Sequence, residues 1–151
     1  MPQKYSDMKT QLEKDGLISF VPGGISMWPT LKDKFQSVVI EKNQNRLDKF
    51  DVALYLRVDG SYVLHRVIGV ADDGYVMLGD SQVNPEKVLE DQILGKMTGF
   101  YKGKTFVDVN SKEYLEQVER WYNNPTRRQR KIKRFYFRQA VKKKLKKIFS
   151  R

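Results

Sequence analysis

From position 51 to 58 hydrophobic positions fall on a two-residue rhythm: Val52, Leu54, Leu56 and Val58 share one side, with Ala53, Tyr55 and Arg57 on the other. A period of two marks a strand with two unlike faces. Asp59-Gly60 follows, a pair suited to a two-residue hairpin turn, so residues 61–70 return alongside. Asp73-Gly74 turns the chain again into residues 75–78. Upstream, 17–21 is a short β-prone run, 36–41 contains Ser37-Val38-Val39-Ile40, and the polar stretch 42–49 reads as a loop. Downstream, 93–101 and 105–109 are the last strands, joined by Lys102-Gly103-Lys104. Six or so short strands with close turns predict a mainly β body, a barrel or a coiled meander. A short helix over 5–15 precedes it, with Ser6 as N-cap and Gly16 as its stop. A helical turn over 30–34 is also expected.

At Asn110 the strand-like pattern gives way to a helical one. After Ser111-Lys112-Glu113-Tyr114, the residues Leu115, Val118 and Trp121-Tyr122 keep helical spacing, until Asn123-Asn124-Pro125 breaks the run. Residues 126–151 then predict a long basic helix. Ile132, Phe135, Tyr136, Val141, Leu145, Ile148 and Phe149 form its mostly i, i+3/i+4 apolar stripe. The organisation expected is a β body over 1–109, a helix over 110–124 packing on or beside it, and a basic amphipathic tail over 125–151.

Charge sharpens this division. The 151 residues carry 29 Lys/Arg and 18 Asp/Glu, a formal net charge of +11. Thirteen of the basic residues, and none of the acidic ones, fall after position 124, so residues 1–124 have a net charge of −2. A near-neutral body with a basic tail calls for an anionic partner. Without cysteine and with a single histidine, disulfides and a transition-metal site are not expected, and no cofactor is implied. The first residues lack the apolar core of a signal peptide, and no window is apolar enough to span a bilayer. A cytoplasmic location is the expectation, with a peripheral place at the inner membrane face open to it.

Three short stretches carry candidate chemistry. Gly23-Gly24-Ile25-Ser26-Met27-Trp28-Pro29-Thr30-Leu31 places a hydroxyl on a tight turn, with glycines before it and a φ-restricting proline after it. Such a turn serves as an ordinary loop or as a nucleophile. His65 lies on the strand Tyr62-Val63-Leu64-His65-Arg66-Val67-Ile68, with Ser61, Val63 and Val67 on its side. It is either a satisfied strand histidine or a general base, since imidazole titrates near neutral pH. Gly79-Asp80-Ser81 is either a capped turn or the source of the carboxylate that orients His65. Glu86 and Asp91 are alternative acids.

Taken together and in order, these stretches resemble the signal peptidase I and LexA-like serine peptidases. Gly24-Ile25-Ser26-Met27-Trp28-Pro29-Thr30-Leu31 looks like the family's serine box. Phe50-Asp51-Val52 resembles its strand opening. Leu64-His65-Arg66-Val67-Ile68-Gly69 is similar to the second catalytic box in its histidine form. Gly79-Asp80-Ser81 resembles the Gly-Asp-Asn box, and Ile93-Leu94-Gly95-Lys96 the closing strand. The resemblance covers residues 23–100 and implies a coiled β-barrel of that type, followed here by helices. It implies that Ser26 Oγ attacks a peptide carbonyl while His65 takes its proton, with the Ser26 N–H in the oxyanion hole. The third catalytic member is Asp80, with Glu86 as the alternative. Gly24, Ile25, Met27, Trp28 and Pro29 would line the substrate site. Many relatives carry a hydroxyl two residues before the serine, where this chain has Gly24. No membrane anchor or helix-turn-helix is seen, so the resemblance is to small stand-alone bacterial peptidases with basic tails. It supports the cleavage of a precursor, leader or signal-like peptide. A catalytically inactive peptide-binding or membrane-associated adaptor on the same fold is the alternative.

The tail adds a partner of its own. Residues 126–151 suit an anionic membrane surface, with aromatic and aliphatic residues entering the interface and lysines meeting lipid. An acidic precursor peptide is the second partner class. Nucleic acid is disfavoured, because no recognition module surrounds the basic run.

Overall fold

The computed structural model describes residues 8–32 and 36–150. In chain order the elements are α1 (Met8–Asp15), β1 (Leu17–Phe20), β2 (Val38–Lys42), β3 (Val52–Leu56), β4 (Tyr62–Ala71), β5 (Gly74–Leu78), β6 (Glu86–Leu89), β7 (Ile93–Lys102), β8 (Thr105–Asp108), α2 (Lys112–Tyr122) and α3 (Pro125–Phe149). The start of the helix expected over 5–15, its Ser6 cap included, lies outside the described residues, as do the last two residues of the turn expected over 30–34.

The protein is mainly β, with helices following. All eight strands join one antiparallel sheet in the order β1-β2-β7-β3-β4-β5-β6, with β8 on β7. β7 serves three partners. β2 lies along one edge, while β3 and β8 share the other, near its start and its end. Register shifts at Val39/Ile40, Leu54/Tyr55 and Val67/Gly69 bend the sheet. It stays open, with the four-residue strands β1 and β6 at its two ends.

β3 runs between β4 and β7 and is buried on both faces, not half-buried as its alternation predicts. Ala53 and Tyr55 look into a cluster with Leu47, Val67, Tyr75, Met77 and Val88. On the other face lie Val52 and Leu54. Toward β7, α1 seats Leu12 close to Ile40 and Gly95, where a Cβ on Gly95 would collide with both. Each such buried aliphatic side chain stabilises the fold by about 1.5–3 kcal/mol.

Two local details differ from the sequence reading. The hairpin at Asp59-Gly60 has a three-residue loop, not a two-residue one. Arg57 N–H donates to Ser61 O (2.9 Å), Gly60 N–H donates to Arg57 O (2.9 Å), and Gly60 takes φ +88°. That is a turn closed by a left-handed glycine, and it leaves Val58 fully exposed in the loop. The sequence pattern does not predict β6. Its sequence Glu-Lys-Val-Leu has one buried residue, Val88, and it pairs only with β5.

By their internal contacts the residues form two compact units, Met1–Leu115 and Glu116–Arg151. In the second unit, Asn124 caps α3 by accepting the Arg127 N–H at its Oδ1 (3.0 Å), with Pro125 in the first turn. The single apolar stripe expected along α3 is two. Arg128, Ile132 and Phe135 are buried. Phe137, Val141, Leu145 and Ile148, at i, i+4, i+8 and i+11, lie on the opposite side of the helix and are exposed, as is Phe149. No helix among the described residues is long and apolar enough to cross a membrane.

Candidate active site

Ser26 opens a turn over residues 26–30, held by Trp28 N–H to Ile25 O (3.1 Å) and Leu31 N–H to Met27 O (2.9 Å). Gly24 before it has φ +80°, a conformation that strains any L side chain. Any residue with a side chain there would therefore meet a backbone cost, although the space beside Gly24 is open. The Trp28–Pro29 peptide is cis. Met27 is buried, Trp28 and Pro29 are half-buried, and Gly24 and Ile25 are exposed.

This turn is strapped to the turn that follows β5. Ser81 N–H donates to Ser26 O (2.9 Å), Ser81 Oγ to Ile25 O (2.8 Å) and Thr30 Oγ1 to Asp80 Oδ2 (2.5 Å). Gly79 makes the approach possible, since a Cβ there would come within 2.7 Å of Ser26 O. Two boxes fifty residues apart in sequence are thus one structural feature.

Arg66 ties β4 to both. Its Nε and one terminal nitrogen grip Asp80 at Oδ1 (2.8 Å) and Oδ2 (2.7 Å), and that nitrogen also reaches Thr30 Oγ1 (3.2 Å). Its other terminal nitrogen donates to Phe50 O (2.8 Å) and to the Tyr114 hydroxyl (3.1 Å). Arg66 and Asp80 are both fully buried, so this is an ion pair with its lone pairs and protons taken up by neighbours.

His65 points the other way, because neighbours on a strand face opposite sides. It pairs with Ala53 and shares that face with Tyr55, which pairs with Val63. Its Nδ1 lies 3.1 Å from the Tyr55 hydroxyl. That hydroxyl donates to Glu86 Oε1 (2.5 Å), and Arg57 holds Glu86 through Nε (3.1 Å) and a terminal nitrogen (2.7 Å). Burial pushes the imidazole pKa down, to about 4, with Arg57 adding to the shift while Glu86 and Asp80 oppose it. Burial pushes the Glu86 carboxyl up, but the bonds from Arg57 and Tyr55 outweigh it and hold the group below its ordinary value. The Tyr55 phenol is pushed up, first by burial and then by its bond to Glu86. At neutral pH the site therefore holds a neutral imidazole, a neutral phenol and an ionised carboxylate.

Of the acids considered from the sequence, Glu86 is connected to the imidazole, through Tyr55. Asp80 is spent on Arg66 and Thr30, on the face of β4 opposite to His65. Asp91 is exposed in a single 3-10 turn over Glu90–Gln92. Among the described residues no hydrogen bond joins the Ser26 hydroxyl to His65, and the Ser26 N–H has no acceptor. Tyr55, Arg57, Thr30 and Arg66 were not singled out as functional by sequence. No group of three or more metal-ligating side chains comes together among the described residues. No protein-family model matches the chain, and no curated protein matches it either.

Proposed function

We propose that the protein is a serine endopeptidase of the signal peptidase I and LexA-like type, with Ser26 as nucleophile and His65 as general base. The observation that carries this reading is that the Ser26 turn is strapped to Gly79-Asp80-Ser81, and that Arg66, the neighbour of His65 on β4, holds Asp80. The three stretches that suggest a peptidase by their order are neighbours in space. In the reaction Ser26 Oγ attacks the peptide carbonyl and its proton passes to His65, which then gives a proton to the leaving amine. The Ser26 N–H, without an acceptor among the described residues, would serve the developing oxyanion; such a donor is worth roughly 10²–10³ in rate.

The substrate class that fits is a precursor, leader or signal-like peptide. The exposed apolar stripe and cations of α3 would hold the enzyme peripherally on an anionic membrane surface, where such peptides gather. A second reading, a peptide-holding adaptor that does not cut, is favoured by one observation. Among the described residues Ser26 and His65 are not hydrogen-bonded. Incubation with a library of unstructured peptides, read by mass spectrometry, tests the first reading. Wild-type protein should yield new termini that the Ser26→Ala variant does not. Identical digests from the two would overturn it.

A further inference from the structure

We propose that Tyr55 is a positioning residue for His65: its hydroxyl relays the charge of Glu86 to the imidazole and fixes the ring proton on Nδ1, leaving the lone pair on Nε2. The inference rests on the proposed peptidase only for the use made of that lone pair. The relay itself is read from geometry.

A phenol has one proton and can also accept. Glu86 is clamped by two nitrogens of Arg57, which favours its ionised, acceptor-only form. The Tyr55 proton is therefore committed to Glu86 Oε1. What the phenol offers to His65 Nδ1, 3.1 Å away, is a lone pair. An unprotonated Nδ1 there would set lone pair against lone pair, so Nδ1 carries the hydrogen and donates it. Glu86 cannot do this directly, because its Oε1 is 3.9 Å from Nδ1, beyond hydrogen-bond range. The two rings meet edge to face, 6.1 Å between centroids, which holds the imidazole plane. The charged groups acting on the ring are Glu86 and Arg57 on this side and Asp80 beyond β4.

The single histidine makes the test unusually direct, since every imidazole nitrogen signal of the full chain belongs to His65. Two-bond ¹H–¹⁵N correlation spectra at neutral pH should show the Nδ1–H tautomer in wild type. In Tyr55→Phe, which keeps the buried ring, that preference should be lost. In Glu86→Ala the freed phenol proton can turn to Nδ1, so the tautomer should shift to Nε2–H. Backbone amide spectra identify any variant that has not folded; the Glu86→Ala result and the wild-type tautomer then stand alone. Wild type in the Nε2–H form, or variants with an unchanged tautomer, would overturn the relay. In peptide cleavage, Tyr55→Phe should lower kcat roughly 10²-fold with KM held. Correct tautomers with no cleavage by wild type would sink the peptidase reading and leave the relay standing.

Discussion

Asp80 and Glu86 look interchangeable in the sequence, two acids in a short polar stretch beyond β5. The structure gives them different work, and mutation should separate them. Asp80 neutralises Arg66 in a fully buried pair, and removing one partner of such a pair typically costs about 3–5 kcal/mol. Asp80→Ala should therefore unfold at much lower urea concentration, and a midpoint within error of wild type would refute the role. Glu86 is paired with a half-exposed Arg57, so Glu86→Ala should cost about 1 kcal/mol or less while changing the chemistry of His65. The histidine has a pH signature of its own. Its folded pKa of about 4 lies below the ordinary 6.5, so the unfolded chain binds more protons between these values. Stability from this group is complete above about 6.5 and falls as pH drops toward 4, by up to roughly 3 kcal/mol. His65→Gln should flatten that part of the stability curve. A base must be unprotonated, so the acid limb of kcat/KM should lie well below 6.5; a limb at 6.5 or above would contradict the buried setting. Ser26 and His65 stood out in the sequence because their stretches are short and ordered. Tyr55 and Arg57 did not, because their roles depend on which face of the sheet each residue takes.

That face is decided by one element, the hairpin after β3. A two-residue loop at Asp59-Gly60 would pair His65 with Leu54 and put it on the wrong side of Tyr55. The three-residue loop shifts the register by one and brings Tyr55 and His65 onto the same face. Composition does not distinguish the two loops, since Gly60 with positive φ suits both. β6 was illegible for a different reason: four residues, two charged, with only Val88 buried, carry almost no periodic signal, yet this strand delivers Glu86. The turn after β5 is the other element on which the site depends. Gly79→Ala would push a methyl group against the Ser26 carbonyl. It should slow cleavage by displacing the serine turn while the rest of the sheet keeps its amide spectrum. Along α3 the helical period was plain in the sequence, but its division into a buried and an exposed stripe was not, because the apolar spacing continues through both. The exposed stripe should bind vesicles containing anionic lipid, more weakly as salt rises. Replacing Leu145 and Ile148 by Asp should weaken binding about tenfold or more, since each buried aliphatic contributes roughly 1.5–3 kcal/mol. Unchanged binding would remove the membrane role.

At the scale of the whole molecule, the mainly β body, the helices after it and the basic tail were legible from period and charge. The openness of the sheet was not, because short alternating strands pair the same way in a barrel and in a bent open sheet. What the fold achieves is the convergence of three stretches spread over 60 residues of chain into one region, anchored by Arg66. On the proposed function, this convergence makes Ser26 a working nucleophile. A fluorophosphonate probe tests it, because it phosphonylates only an activated serine and needs no knowledge of the substrate. Wild-type protein should gain a single probe mass, mapped to Ser26, strongly reduced in His65→Ala and absent in Ser26→Ala. Wild type that labels no better than Ser26→Ala across neutral and alkaline pH would contradict it.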